Sequence, residues 1–295
     1  MDAPTAPNRD LVARLAPPLF VVIWATGFVV ARLVAPDADP LSFLALRYAL
    51  AIGVLAIAAV VAGAAWPSDW IGWRDGLVAG MLLHGGYLGG VFWSVDHGLP
   101  AGIAALVAGL QPLMTALLVA PLLGERVSAR RWLGIAVGFS GALLVIAPRL
   151  GAGAGIPIFP LAICFLAVLA ITLGTIWQKR TAARLDLRTN TVVQYGGALL
   201  FTAPLALLLE EGRIAFTPQV AIGLAWAVLG LSIGAISLLL ILIRRGAVAG
   251  VASLLFLVPP CSAVMAYFLF GETLAPVQML GMAVAALGVA LASRG

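Results

Sequence analysis

The side chains able to do chemistry in this sequence are few, and most of them interrupt long apolar runs. Arg47 stands in SFLALRYALA, His84 and Tyr87 in MLLHGGYLGG, Gln111 in VAGLQPLM, and Trp24, Trp177 and Tyr195 in runs of the same character. Polar groups at such depth are costly in an apolar medium, face the interior of a helix bundle, and mark binding sites or proton paths by default. Together these seven are the expected substrate-binding set. Arg47 has two readings: its fork of donors suits a carboxylate or other anionic group of a substrate, and equally it is an arginine that snorkels to an interface or ties helix ends together. His84 could carry a proton or accept a substrate hydrogen bond, or be a packed histidine lining a cavity. Trp24 lies away from any helix end and is the aromatic candidate for a cavity wall, whereas Trp93 and Trp177 stand close enough to helix ends to be interfacial belt residues.

Enzymatic chemistry is poorly supplied. His84 and His97 are thirteen residues apart, with no HExxH pattern, so they do not share a metal on one helix face. Asp96, Glu125 and Glu272 fall at the ends of apolar runs, where capping and interfacial pairing account for them. The only lysine, Lys179, follows TIWQ, so there is no GxxxxGK[ST] phosphate cradle. Cys164 and Cys261 each sit in an apolar run and read as packing residues. No catalytic residue, metal or cofactor is expected.

The elements that must position these groups are membrane helices. With 63% hydrophobic and 10% charged residues and a mean hydropathy of +1.11, the chain has too little polar surface for a soluble fold of this length. A spanning helix needs about 20 apolar residues, and the punctuation gives ten such segments: 15–34, 41–63, 73–95, 101–123, 130–148, 156–178, 188–209, 219–243, 248–270 and 276–293. Arg9 and Arg14 precede the first run as in a signal peptide, but the chain re-enters the membrane and the run reads as a retained helix. Arg47 lies about six residues inside the second segment, roughly 9 Å along it at 1.5 Å per residue.

The second half repeats the first at an offset of 147 residues: Pro112, Gly124, Glu125, Gly134 and Gly141 match Pro259, Gly271, Glu272, Gly281 and Gly288. By the same offset Arg47 matches Gln194, and both are followed by tyrosine. The boundaries expected are a five-helix unit over 1–148, a glycine-rich linker over 149–155 and a second five-helix unit over 156–295. Five helices per unit is odd, so the second copy enters the membrane the other way up, as in carriers built from inverted repeats. With the N-terminus in the cytoplasm, thirteen of the seventeen basic residues fall inside, three (Arg32, Arg149 and Arg213) outside, and Arg47 within a helix; this bias puts both termini in the cytoplasm. It also accounts for the basic balance without nucleic acid. Pro112 and the pair Pro259 and Pro260 interrupt the fourth and ninth segments, where a missing N–H opens the backbone ladder, and are either bending points or static kinks. Small-xxx-small pairs such as Gly76 and Gly80, Gly86 and Gly90, and Gly134 and Gly138 read as packing within one chain.

Four pieces carry a family resemblance: IWATGFVVARL (23–33), SFLALRYALA (42–51), and the paired units QPLMTALLVAPLLGERVSARRWLG (111–134) and VPPCSAVMAYFLFGETLAPVQMLG (258–281). In their order and spacing the chain resembles a ten-helix, EamA-type member of the drug/metabolite transporter superfamily. The resemblance implies an all-α multi-pass protein of the bacterial inner membrane, a secondary carrier, often an exporter of amino acids or related metabolites, with its path between the two halves. The expected partners are a small-molecule substrate and membrane lipid, and the chain is expected to be monomeric. Many such proteins place Asn or Ser after the first-helix glycine; here Gly27 is followed by Phe28, so no polar role is expected there. A channel or structural membrane subunit is the alternative, with an intramembrane enzyme behind it; saturable exchange separates a carrier from a channel.

Overall fold

The structure, a computed structural model, describes residues 7–111, 114–115, 117–118, 128–150, 157–181, 186–238, 242, 258–272 and 275–293. Ten helices follow in order: α1 Pro7–Val34, α2 Pro40–Val61, α3 Trp70–Asp96, α4 Ala101–Ala108, α5 Ala129–Leu150, α6 Ile158–Thr181, α7 Leu187–Leu209, α8 Pro218–Leu238, α9 Val258–Phe270 and α10 Pro276–Ser293. Among the described residues, extended pairing is confined to one bridge, Ala38 with Ile214. α1, α2, α3, α6, α7 and α8 each contain a stretch long and apolar enough to cross a membrane. Their outward surfaces are apolar, with Val61 and Leu207 more than four-fifths exposed, as a surface facing acyl chains must be.

Helix starts are written locally. Asp69 accepts from the Gly72 amide, Asp186 from Arg188 and Thr217 from Val220, each satisfying an amide that the first turn leaves without an intrahelical partner. Pro40 and Pro218 occupy first-turn positions, where the missing N–H costs nothing. Two further caps cross between the copies. Glu210, just past the end of α7, accepts from the Leu41 and Ser42 amides and the Ser42 hydroxyl of α2, all at 2.8 Å. Glu272 caps α4 through the Ala101 and Gly102 amides at 3.4 and 3.5 Å.

The copies are inverted. α2 and its counterpart α7 touch end to opposite end: Glu210 meets the start of α2, and the Thr189 hydroxyl at the start of α7 donates to the Ala65 carbonyl just past the end of α2. α5 and α10 also run antiparallel. A Cβ on Gly141 would crowd the backbone of Gly281 and Ala285, and one on Gly288 would crowd Gly134 and Gly138. Each contact is the other transformed by the 147-residue offset, so the pseudo-two-fold axis passes between these helices. It also passes between Tyr48 and Tyr195, equivalent residues whose rings stand 5.7 Å apart. Gly76, Gly80 and Gly197 let α3 and α7 approach so closely that a Cβ on Gly80 would land on the Gln194 carbonyl. Gly86 and Gly90 do the same for α3 against Ala170 and Ala167 of α6. These glycine pairs therefore serve packing inside one chain.

Candidate functional site

α4 is the helix that breaks. Its regular spacing ends at Ala108, and the following turn is closed by the Gly109 amide on Ala105 and the Leu110 amide on Val107. Pro112, two positions further on, lies outside the described residues; having no N–H, it gives the Ala108 carbonyl no donor four residues ahead. Gly109 admits the opposing helix: a Cβ there would stand 2.9 Å from the ring of Pro259 in α9. Beside this contact lies a cavity of about 40 Å³, walled by Trp24 and Phe28 of α1, Tyr87 of α3, Gly109 and Gln111, Ile171 of α6 and Pro259. Gln111 donates from Nε2 to the Thr175 hydroxyl at 3.1 Å, and that hydroxyl donates to the Ile171 carbonyl of its own helix. The described wall is thus aromatic and amide in character, with both copies contributing. A volume of this size holds a few water molecules and is too small for a metabolite.

The remaining polar residues form a second layer, on α2, α3, α7 and α8. Arg47, only 4% exposed, donates from Nε and Nη2 to the Ser232 hydroxyl at 3.3 and 3.2 Å. Ser232 in turn donates to the Ala227 carbonyl at 3.0 Å, five residues back. Tyr48 donates to the His84 backbone carbonyl at 2.9 Å. The His84 ring stacks on Tyr195 at 4.8 Å. Two of these four helices contain π-helical turns, Met81–Gly86 in α3 and Ala227–Ala235 in α8.

The seven residues singled out in the sequence therefore occupy three places. Trp24, Tyr87 and Gln111 meet at the cavity, with Pro259 opposite. Arg47, His84 and Tyr195 meet in the polar layer. Trp177 stands apart: its indole N–H donates to the Asp75 carbonyl, and the Arg74 guanidinium lies 5.9 Å from its ring centre. Pro260 lies in α9. Ser232, Thr175 and Phe28 were not anticipated. A lone serine within LGLSIGA was a legible signal, whereas an apolar Phe28 and a threonine bonded to its own helix carried none.

A larger recess of about 210 Å³ opens at the Glu210 end of the bundle, between Arg32, the 98–102 turn, Ala263, Ala266 and Glu272. Arg32 Nε stands 3.7 Å from Glu272, with the arginine side chain 45% exposed, so this pair is weak by the usual measure of solvated ion pairs.

Two inverted five-helix copies, a broken helix and a cavity shared between the copies define a membrane transporter of the drug/metabolite type. Residues 18–147 and 158–294 each match the model of the EamA-like transporter family, and the chain belongs to that family. It is similar to the "Probable terminal-alkyne amino-acid exporter" of Streptantibioticus cattleyicolor, 30% identical over 94% of this chain and 91% of that one. The "Uncharacterized inner membrane transporter YedA" of Escherichia coli K12 is 24% identical over 93% and 88%. The "Probable amino-acid metabolite efflux pump" of Salmonella typhimurium is 28% identical over 89% and 88%. A solved crystal structure shares the fold with a TM-score of 0.68, covering 94% of this chain and 95% of its own at 20% identity. The protein is a multi-pass transporter of the bacterial inner membrane.

Proposed function

We propose that this transporter exports an amino acid or a related small metabolite by alternating access, with the cavity at Trp24, Tyr87 and Gln111 as its substrate site. The observation that carries the reading is the position of that cavity: its wall is drawn from both inverted copies and meets the break in α4, where backbone carbonyls lose their helical donors. Trp24 and Tyr87 present ring faces to an apolar or aromatic body, and Gln111 presents an amide to a polar head. The basic residues Arg74, Arg130, Lys179, Arg180 and Arg188 sit at the Asp186 end of the bundle, which supports a cytoplasmic placement for that end and for both termini. The described cavity wall is drawn from one chain, which supports a monomer as the working unit.

The test is counterflow in proteoliposomes preloaded with amino acids and small metabolites. A labelled compound that accumulates saturably, and whose accumulation weakens in Trp24→Ala and Gln111→Ala, supports carrier, substrate class and site together. Uptake that rises linearly with concentration and shows no exchange would make the protein a channel.

A further inference from the structure

α3 and α8 are counterparts, and both leave α-helical spacing at the same place. Shifted by 147, Met81–Gly86 becomes 228–233, inside the π-helical Ala227–Ala235. A π turn lodges an extra residue and loosens the ladder, and such turns gather at functional sites. At Tyr87, for example, the amide is shared between the carbonyls of His84 and Leu82. Two soft turns at equivalent depth in two inverted copies are suited to bending as a pair.

Both turns are held by consecutive residues of one helix. Tyr48 donates to the His84 carbonyl in the α3 turn, and Arg47 donates twice to Ser232, which itself donates into the α8 turn. Neighbouring residues on a helix point about 100° apart, which lets one α2 turn reach both partners. α2 is in turn fixed at both ends to α7, by Glu210 at its start and by Thr189 on the carbonyl of Ala65 just past its end. The opposite side of the layer is closed by Tyr195, stacked on the His84 ring.

We propose that Arg47 and Tyr48 are positioning residues of the transport cycle: they clamp the π turns of both copies to one fixed post, so that bending of α3 is passed to α8. This rests on the carrier reading above, but not on the identity of the substrate. It assigns the Arg47 guanidinium to the coupling of the halves and leaves substrate contact to the cavity.

The experiment uses the full chain with Cys164 and Cys261 replaced by alanine. Nitroxide pairs at Ile71 and Ser237, and at His97 and Gln219, report α3 to α8 distances at the two ends of the bundle, and counterflow is measured alongside. Tyr48→Phe and Ser232→Ala each remove one hydroxyl and little volume, so they serve even where Arg47→Gln does not fold. The expected result is broader distance distributions at both ends, with maximal exchange lowered about fivefold, the scale of one lost hydrogen bond, and KM unchanged. A raised KM at undiminished maximal rate in Arg47→Gln would overturn the proposal and make the arginine a substrate ligand. Unchanged distributions, broadening at one end alone, or broadening with undiminished exchange would each overturn it too. Should the wild-type chain exchange nothing, the carrier reading fails on its own, and the distances still decide whether the clamp exists.

Discussion

Glu210 and Ser42 are 168 residues apart and joined twice: the amide and the hydroxyl of Ser42 both donate to one carboxylate oxygen, at 2.8 Å each. With the Leu41 amide on the other oxygen, the carboxylate closes the first turn of α2 from the opposite copy. Charge-assisted bonds of this length are the strong ones, and losing the acceptor strands three donors. Glu210→Ala should destabilise the fold by about 1–3 kcal/mol, read as a lower melting temperature in detergent. Glu272→Ala, whose bonds are longer, should cost less, and an equal loss would refute this ranking.

The glycine seam between α5 and α10 allows no side chain. Gly288→Leu puts a branched side chain where the Gly138 backbone already stands, and the two helices must separate. Overpacking costs typically about 1–3 kcal/mol and more where backbone has to move. The variant should elute from size-exclusion chromatography as aggregate or melt well below the parent, while Gly53→Leu on α2, where a Cβ would meet open space, should behave as wild type.

Within the cavity, Gln111→Ala removes a polar contact without touching the layer behind it. KM for counterflow should rise about two- to tenfold with maximal rate preserved, as expected when a contact made equally throughout the cycle is lost. Trp24→Ala should act in the same direction. A fall in maximal rate at constant KM in both variants would move the substrate elsewhere.

Arg188 holds the Asp186 carboxyl down at about 2, chiefly through its side-chain hydrogen bond at the start of α7. A carboxyl lowered in the folded state lends stability that is present above its ordinary value and lost as pH falls through about 2. Across pH 5 to 8 this contribution is constant. The difference in melting temperature between wild type and Asp186→Asn should therefore be the same at pH 5 and pH 8 and shrink only below about pH 4; a difference that stays constant down to about pH 2 would show that Arg188 does not hold the group.

Much of the fold was written in the chain, because lipid forces each spanning helix to be a long apolar run and the punctuation between runs is polar. The starts at Pro40, Leu187 and Pro218 fall within a residue of where proline, aspartate and threonine end the apolar pattern. The 147-residue offset likewise announced the glycine seam. The π turns were not legible: Met81–Gly86 and Ala227–Ala235 are apolar, glycine-bearing stretches that read as ordinary helix, and their extra residue is set by what packs against them. Arg47 was conspicuous, but its partner lies 185 residues away in the other copy, and a long side chain does not say which helix it will reach. The kink expected at Pro112 lies outside the described residues.

The α5 and α10 seam is reciprocal: Gly141 against Gly281 is the same junction as Gly288 against Gly134. A surface that fits itself about a two-fold axis needs only one kind of subunit. Two separate copies of a single half, set in opposite senses, would fit together along this seam without a linker. Joined in one chain, the two halves need not be identical, and the polar layer is a place where they differ. One copy answers with an arginine where the other has a glutamine, and one π turn holds a serine where its mate holds a glycine.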